Sequence, residues 1–158
     1  MKFTKIRDVK SPERGTEKSA GIDFFIPNDF KEMVLEPQHD VLIPSGIKVC
    51  LPENTMLMAA NKSGIATSAV SKVKCGMTLK GHEHNTTLMV GACIVDEDYP
   101  GEVHLHIVNT GKESAILKPG MKIVQFIVVP VIYTDVEEVE QLTCTATSRQ
   151  GGFGSTGK

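Results

Sequence analysis

Val103-His104-Leu105-His106-Ile107 alternates aliphatic and imidazole side chains without a break. Successive residues of an extended strand point to opposite faces, so Val103, Leu105 and Ile107 share one side and both histidines the other. This is the pattern of a half-buried β-strand, and other segments of the chain resemble it. Aliphatic or β-branched runs occur at 41–43, 46–51, 56–60, 88–95, 103–109, 115–117 and 123–131. Turn formers separate them. Pro44-Ser45-Gly46 and Lys118-Pro119-Gly120 each pair a residue of fixed φ with one that accepts positive φ. Eight prolines and fourteen glycines punctuate 158 residues, and helix signals are scarce. Short strands joined by tight turns predict an all-β fold, a jelly-roll-like β-sandwich or barrel, with one short helix within 67–73.

Composition narrows the classes. A hydrophobic fraction of 41% and a charged fraction of 23% are those of a globular domain. A net charge of −2 supplies no basic field to hold a nucleic-acid backbone. No apolar run approaches the roughly 20 residues needed to cross a bilayer, so neither nucleic acid nor membrane is an expected partner. Cys50, Cys75, Cys93 and Cys144 are scattered and form no C-x-x-C pair. With no signal-peptide pattern in residues 1–5, a reducing, cytoplasmic setting is expected. One domain over 1–145 is expected, leading through the acidic residues Asp135, Glu137, Glu138 and Glu140 into a flexible arm over 146–158.

Chemistry-bearing residues concentrate in a few places. In Ile94-Val95-Asp96-Glu97-Asp98-Tyr99-Pro100-Gly101-Glu102-Val103, the segment Tyr99 to Glu102 carries Pro and Gly as a type II turn does, which predicts a hairpin. Asp96 follows aliphatic residues towards the interior side, where a carboxylate needs a partner or a task. The competing reading is a solvated acidic turn. Arg149-Gln150-Gly151-Gly152-Phe153-Gly154-Ser155-Thr156-Gly157-Lys158 joins close-approach glycines, hydroxyls, cations and one aromatic ring, the makings of a nucleotide-phosphate grip. Its match to the G-x-x-x-x-G-K phosphate loop is set aside, because no helix follows Lys158. Lys62-Ser63-Gly64 offers a cation, a hydroxyl and a pliable backbone. Gln125 places an amide among apolar residues, to be satisfied by backbone or by a ligand.

The order of these signals resembles the trimeric deoxyuridine triphosphatase (dUTPase) family and its ordered motifs. Ala20-Gly21-Ile22-Asp23 is similar to the first, Lys62-Ser63-Gly64-Ile65-Ala66 to the second, and Gly91 through Val103 to the third. Pro119 through Gln125 is similar to the fourth and Gly152 through Gly157 to the fifth. The resemblance implies a jelly-roll homotrimer with shared active sites that hydrolyses dUTP to dUMP and pyrophosphate with Mg²⁺. It implies Asp96 as the base for the attacking water and Tyr99 as the ring under the deoxyribose. Cys93 and Ile94 would read the uracil edge through their backbone. Lys62, Ser63, Gly64 and Gln125 would contact phosphates, and Asp23 would meet Mg²⁺ through bound water. Phe153 would cover the uracil, while Arg149, Gly154, Ser155 and Thr156 close over the phosphates.

The chain departs from the family pattern in places. Lys62 stands where the pattern has Arg and Cys93 where many members have Gly, Arg149 lies one residue closer to Phe153, and the stretch from Gly64 to Asp96 is longer. The added residues fall within 67–87 and include Cys75, His82 and His84, a weak zinc pattern better read as a loop or partner-binding insertion. His104 and His106 read as surface or interface residues. A dCTP deaminase and a non-catalytic trimeric module that binds dUTP or a protein partner are the competing functions. The Asp-x-Asp-Tyr order favours the hydrolase.

Overall fold

A computed structural model of the chain describes residues 1–67, 86–92 and 94–141. Its elements are β1 (Lys2–Lys5), β2 (Glu13–Arg14), β3 (Ile22–Phe25), β4 (Met33–Leu35), β5 (Asp40–Pro44), β6 (Ile47–Cys50) and β7 (Thr55–Asn61). They continue with the single-turn α1 (Ser63–Ala66), then β8 (Leu88–Val90), β9 (Ile94–Val95), β10 (His104–Asn109), β11 (Ala115–Leu117) and β12 (Lys122–Pro130). The largest sheet runs β2-β3-β12-β7-β9, a second runs β5-β10-β8, and β1 with β6 and β11 with β4 form two ribbons. The all-β expectation is met; α1 at Ser63–Ala66 was not expected, and the short helix expected within 67–73 lies, apart from Thr67, outside the described residues.

Why these residues form these strands follows from burial. In β10 the alternation is complete: Leu105, Ile107 and Asn109 are buried, while His104, His106 and Val108 are partly open. Phe24, Leu57 and Phe126 from the large sheet meet Ile43, Leu88, Leu105 and Ile107 from the second in one core cluster. The Phe24 and Phe126 rings stand 4.6 Å apart and tilted, a favourable aromatic arrangement. Both expected turn glycines take positive φ, Gly46 at 76° and Gly120 at 74°. Met121 N–H closes the second turn onto the Lys118 carbonyl.

The N-terminal strands escape the sequence pattern for a physical reason. β3 is buried on both faces at all its residues, so it shows no alternation; β1 is exposed throughout; β2 and β4 are too short to display a period. The run at 88–95 is a correction, because it breaks into β8 and β9. β8 pairs with β10, whereas β9 crosses to β7 in the other sheet.

A buried amide ties the end of β10 to β4 and the adjoining loops. Asn109 Nδ2 donates to the carbonyls of Leu35 (3.0 Å) and Glu113 (2.8 Å), and its Oδ1 accepts from Thr86 Oγ1 (2.8 Å) and the Gly111 N–H (3.0 Å). Asn109→Leu removes these four hydrogen bonds from the core. Its unfolding free energy is expected to fall by about 3 kcal/mol, read from the shift of a urea midpoint at unchanged slope.

Candidate active site

The parting of β8 and β9 creates the most informative cavity. Val90 and Ile107 are still cross-strand partners, but by Ile94 the chain lies beside Met58 of β7. The opening between the two legs is about 220 Å³ and is walled by Ala92, Ile94, Val95, Tyr99, His104 and His106, with Asp96 at its edge. Phe126 of the core also lines it.

Four expectations for this segment are corrected. The strands flanking the turn form no hairpin, since β9 pairs with β7 while β10 lies between β5 and β8. The turn closes between Asp96 and Tyr99, whose N–H donates to the Asp96 carbonyl at 3.2 Å. Gly101 does not take the positive φ that a type II turn at Tyr99–Glu102 needs. Instead it lets the Tyr99 ring lie over it, in space that a Cβ would fill, while Tyr99 Oη donates to the Glu102 carbonyl at 3.2 Å. Asp96 does not enter the interior. Val95 faces inward, so Ile94 and Asp96 open to the other side, and both are exposed.

The three acids divide their roles. Glu97 Oε2 accepts the Asn54 N–H at 2.8 Å and Tyr133 Oη at 3.0 Å, which pins the turn to the β6–β7 connection and the segment after β12. That hydrogen bond to a carboxylate is the main cause that raises the Tyr133 phenol above its ordinary value, followed by desolvation. Asp96 and Asp98 stay exposed. The fully solvated turn is therefore wrong for one acid and right for two. Behind the turn, Glu102 Oε1 accepts from the Gly46 N–H (2.6 Å) and Arg7 Nε (3.0 Å), fixing where β10 begins.

A second cluster forms where β3, β7 and β12 meet. Asp23, on β3, is buried and pairs across the strands with Gln125. Its Oδ1 lies 2.8 Å from Lys62 Nζ and its Oδ2 3.2 Å from Lys122 Nζ. Burying a lone carboxylate costs several kcal/mol, and these two cations offset that cost. The three side chains together carry one net positive charge, which suits an anion. Gln125 Nε2 donates to the Asn61 carbonyl at 2.8 Å, so its amide is held by backbone beside Lys62. Ser63 and Gly64 open α1, directly after Lys62.

Lys122 is the residue that sequence reading missed. Strand alternation places it on the face opposite Gln125, three residues on. A β-bulge between Lys122 and Val124 shifts the register and brings its ammonium round to Asp23. Neighbouring apolar residues at Ile123 and Val124, both buried, were the available signal.

The structure keeps the two clusters apart. Val95 pairs with Leu57, and Lys62 lies five residues further along the same direction. At about 3.3 Å per strand residue that is roughly 16 Å between the Asp96 turn and the cation cluster. Cys93, Arg149, Phe153, Gly154, Ser155 and Thr156 lie outside the described residues, as do most of the insertion within 67–87 and the arm over 146–158. Among the described residues no group of three or more His, Cys, Asp or Glu could hold a metal, and no helix is long and apolar enough to cross a membrane.

A β-sandwich with a carboxylate-edged cavity and a separate cation cluster defines a protein that handles a small phosphorylated substrate. The dUTPase family model matches residues 77–157, and the chain belongs to that family. It is 34% identical over 141 residues to the deoxyuridine 5′-triphosphate nucleotidohydrolase of Clostridium kluyveri, covering 89% of this chain and 85% of that one. The mouse protein of the same name is 31% identical over 159 residues, covering 100% of this chain and 85% of the relative. Among solved structures, the Staphylococcus bacteriophage 80alpha dUTPase with dUPNHPP superposes with a TM-score of 0.74 at 21% identity, over 99% of this chain and 98% of that one. A phage phi11 dUTPase mutant described with a structural Mg(II) ion superposes with a TM-score of 0.67 at 20% identity, over 89% of this chain and 96% of that one.

Proposed function

We propose that the chain hydrolyses dUTP to dUMP and pyrophosphate with Mg²⁺, which limits uracil incorporation into DNA and supplies dUMP for thymidylate synthesis. The observation that carries this reading is the cavity between the parted strands. It has room for one flat ring, whose edge the backbone of Cys93 and Ile94 would read, and Asp96 is part of its lining. Tyr99, held over Gly101, would pack under the deoxyribose and leave no space for a 2′-hydroxyl. Asp96 would accept the proton of a water attacking the α-phosphorus, and the bond from that phosphorus to the bridging oxygen would break to release pyrophosphate.

The phosphates need cations, and among the described residues none forms an ion pair with Asp96. A base must lie within hydrogen-bond reach of the water it activates, or one water away, not roughly 16 Å from the phosphate cluster. A site completed by a neighbouring copy resolves this, as a homotrimer with shared active sites would. The segment after β12 supports the same reading. It runs out from the sandwich with Ile132 87% and Val136 100% exposed, side chains that an adjacent copy would cover. In such a site Lys62, Ser63, Gly64 and Gln125 from one copy would meet the triphosphate, whose base lies in the cavity of another. Cys93 would contribute backbone only, Phe153 would cover the uracil, and Arg149, Gly154, Ser155 and Thr156 would close over the phosphates.

Mg²⁺ fits this arrangement only together with the substrate. Both Asp23 oxygens already face ammonium groups, so the ion's inner ligands would be phosphate oxygens, with Asp23 reached through bound water. When bound, the ion would neutralise charge on the leaving pyrophosphate. The scattered cysteines, of which Cys50 is free and exposed, support a cytoplasmic setting.

The deciding experiment is a nucleotide panel with Mg²⁺, scored by pyrophosphate release. We expect dUTP to exceed dTTP, dCTP and UTP by at least about 10²-fold in kcat/KM, since misplaced or unpaired polar groups reject the wrong base and sugar. Ammonia release from dCTP would transfer the site to deamination, and binding of dUTP without turnover would make it a non-catalytic module.

A further inference from the structure

His106 is absent from the roles assigned above, yet it makes three contacts with the chain that walls the cavity. The β8–β10 ladder ends at the Gly91 N–H, which donates to the His106 carbonyl at 3.0 Å. One residue later the chain turns away towards β7, so the Ala92 N–H has no ladder acceptor left. His106 Nδ1 takes that hydrogen bond at 2.7 Å. The ring also rests on Gly91, where any Cβ would overlap three imidazole atoms. On its far side, Nε2 lies 2.8 Å from Asp40 Oδ2 on β5.

These partners determine the proton's place. A backbone N–H can only donate, so Nδ1 must present a lone pair, and Nε2 carries the proton towards the Asp40 carboxylate. The other titratable groups lining the same cavity are His104, Asp96, Glu102 and Tyr99. None of them is hydrogen-bonded to the His106 ring among the described residues.

We propose that His106 is a specificity-determining positioning residue: its neutral imidazole, oriented by Asp40, pins the point where the two legs part and so sets the width and backbone alignment of the base cavity. The inference rests on the dUTP reading of that cavity. His106 lies on the cavity wall, and its ring bonds to the Ala92 N–H and the Asp40 carboxylate rather than to Asp96 or the Lys62 cluster. Its loss should therefore weaken base binding and selection while sparing the chemical step.

The test compares wild type with His106→Leu, His106→Asn and Asp40→Asn on dUTP and dCTP. Leu fills the volume but offers no acceptor, leaving the Ala92 N–H unpaired. We expect its KM for dUTP to rise about tenfold and its preference for dUTP over dCTP to fall about tenfold, with kcat within about twofold. Asn places an amide oxygen near the Nδ1 position and should restore most of both, and Asp40→Asn should fall between. Long-range ¹H–¹⁵N spectra of the nucleotide-free wild type should show the neutral Nε2–H tautomer, and the Ala92 amide should lose exchange protection in the Leu variant. A Leu variant with wild-type KM and selectivity overturns the proposal, even if its melting temperature falls. So does an imidazole protonated at Nδ1 at neutral pH. If wild type fails to hydrolyse dUTP, the functional reading falls separately. The tautomer and the Ala92 exchange then decide whether His106 pins the strand.

Discussion

Asp96→Asn is expected to lower kcat for dUTP by about 10² to 10⁴-fold, the usual contribution of a positioned general base. Affinity for a non-hydrolysable dUTP analogue should stay within about threefold, because asparagine keeps the shape and polarity of the side chain and loses only its basicity. The structure makes this a clean substitution. Asp96 is exposed, and its carboxylate makes no hydrogen bond among the described residues, so the turn does not depend on it. What holds the turn is the Asp96 carbonyl, accepting from Tyr99, and the Glu97 carboxylate, accepting from Asn54 and Tyr133. The melting temperature should therefore match wild type. Pyrophosphate release measured beside calorimetric binding of the analogue checks both halves. Turnover within tenfold of wild type would remove Asp96 from the role of base.

The second large effect is recovery of activity from two inactive proteins. Lys62→Ala removes a cation from the phosphate cluster and should cost about 10²-fold or more in kcat/KM, the scale of losing one group that stabilises transition-state charge. Asp23 keeps Lys122 as a partner at 3.2 Å, so the cluster should survive the change. If every site takes Asp96 from one copy and Lys62 from another, co-refolding equal amounts of Asp96→Asn and Lys62→Ala chains rebuilds intact sites. Random assortment into trimers would leave about a quarter of sites with both native residues, hence about a quarter of wild-type activity. Mixing without refolding should recover none until subunits exchange. Failure to recover activity after co-refolding, with trimers confirmed by sedimentation, would place both residues in one copy's site. That outcome would contradict the roughly 16 Å that strand geometry puts between them.

The strands that could be read directly were those with one wet and one dry face. β10 is legible because Leu105 and Ile107 are buried while His104 and His106 are not. β3 was not legible as a strand because Ile22, Asp23, Phe24 and Phe25 are all buried, which erases the period of two. The same residues were recognised only as part of a chemical motif. The acidic turn shows the opposite failure. Its residues were identified, but the turn type was misassigned, because a Pro-Gly pair reports local preference while the flanking strands were being drawn into different sheets.

The candidate site divides along the same line. Asp96, Tyr99, Lys62 and Gln125 were named from residue type and order. Lys122 was not, since its approach to Asp23 depends on a β-bulge that only pairing with β3 creates. His106 was assigned to a surface or interface, since a lone imidazole on a strand face carries no sign of the amide that it will accept.

By itself the sequence determined the all-β class, the turns at Gly46 and Gly120, the family and the residue types available for phosphate chemistry. These depend on side-chain periodicity and local backbone preference, which are properties of neighbouring residues. The tertiary structure decided which residues face the same space. The strands on either side of the acidic turn pair in different sheets, so a cavity opens between them and Asp96 lines it. The Asp96 turn then lies towards one end of β7 and the cation cluster at the other. Such distances are set by strand register across the sandwich, and register is a long-range property that no local pattern encodes.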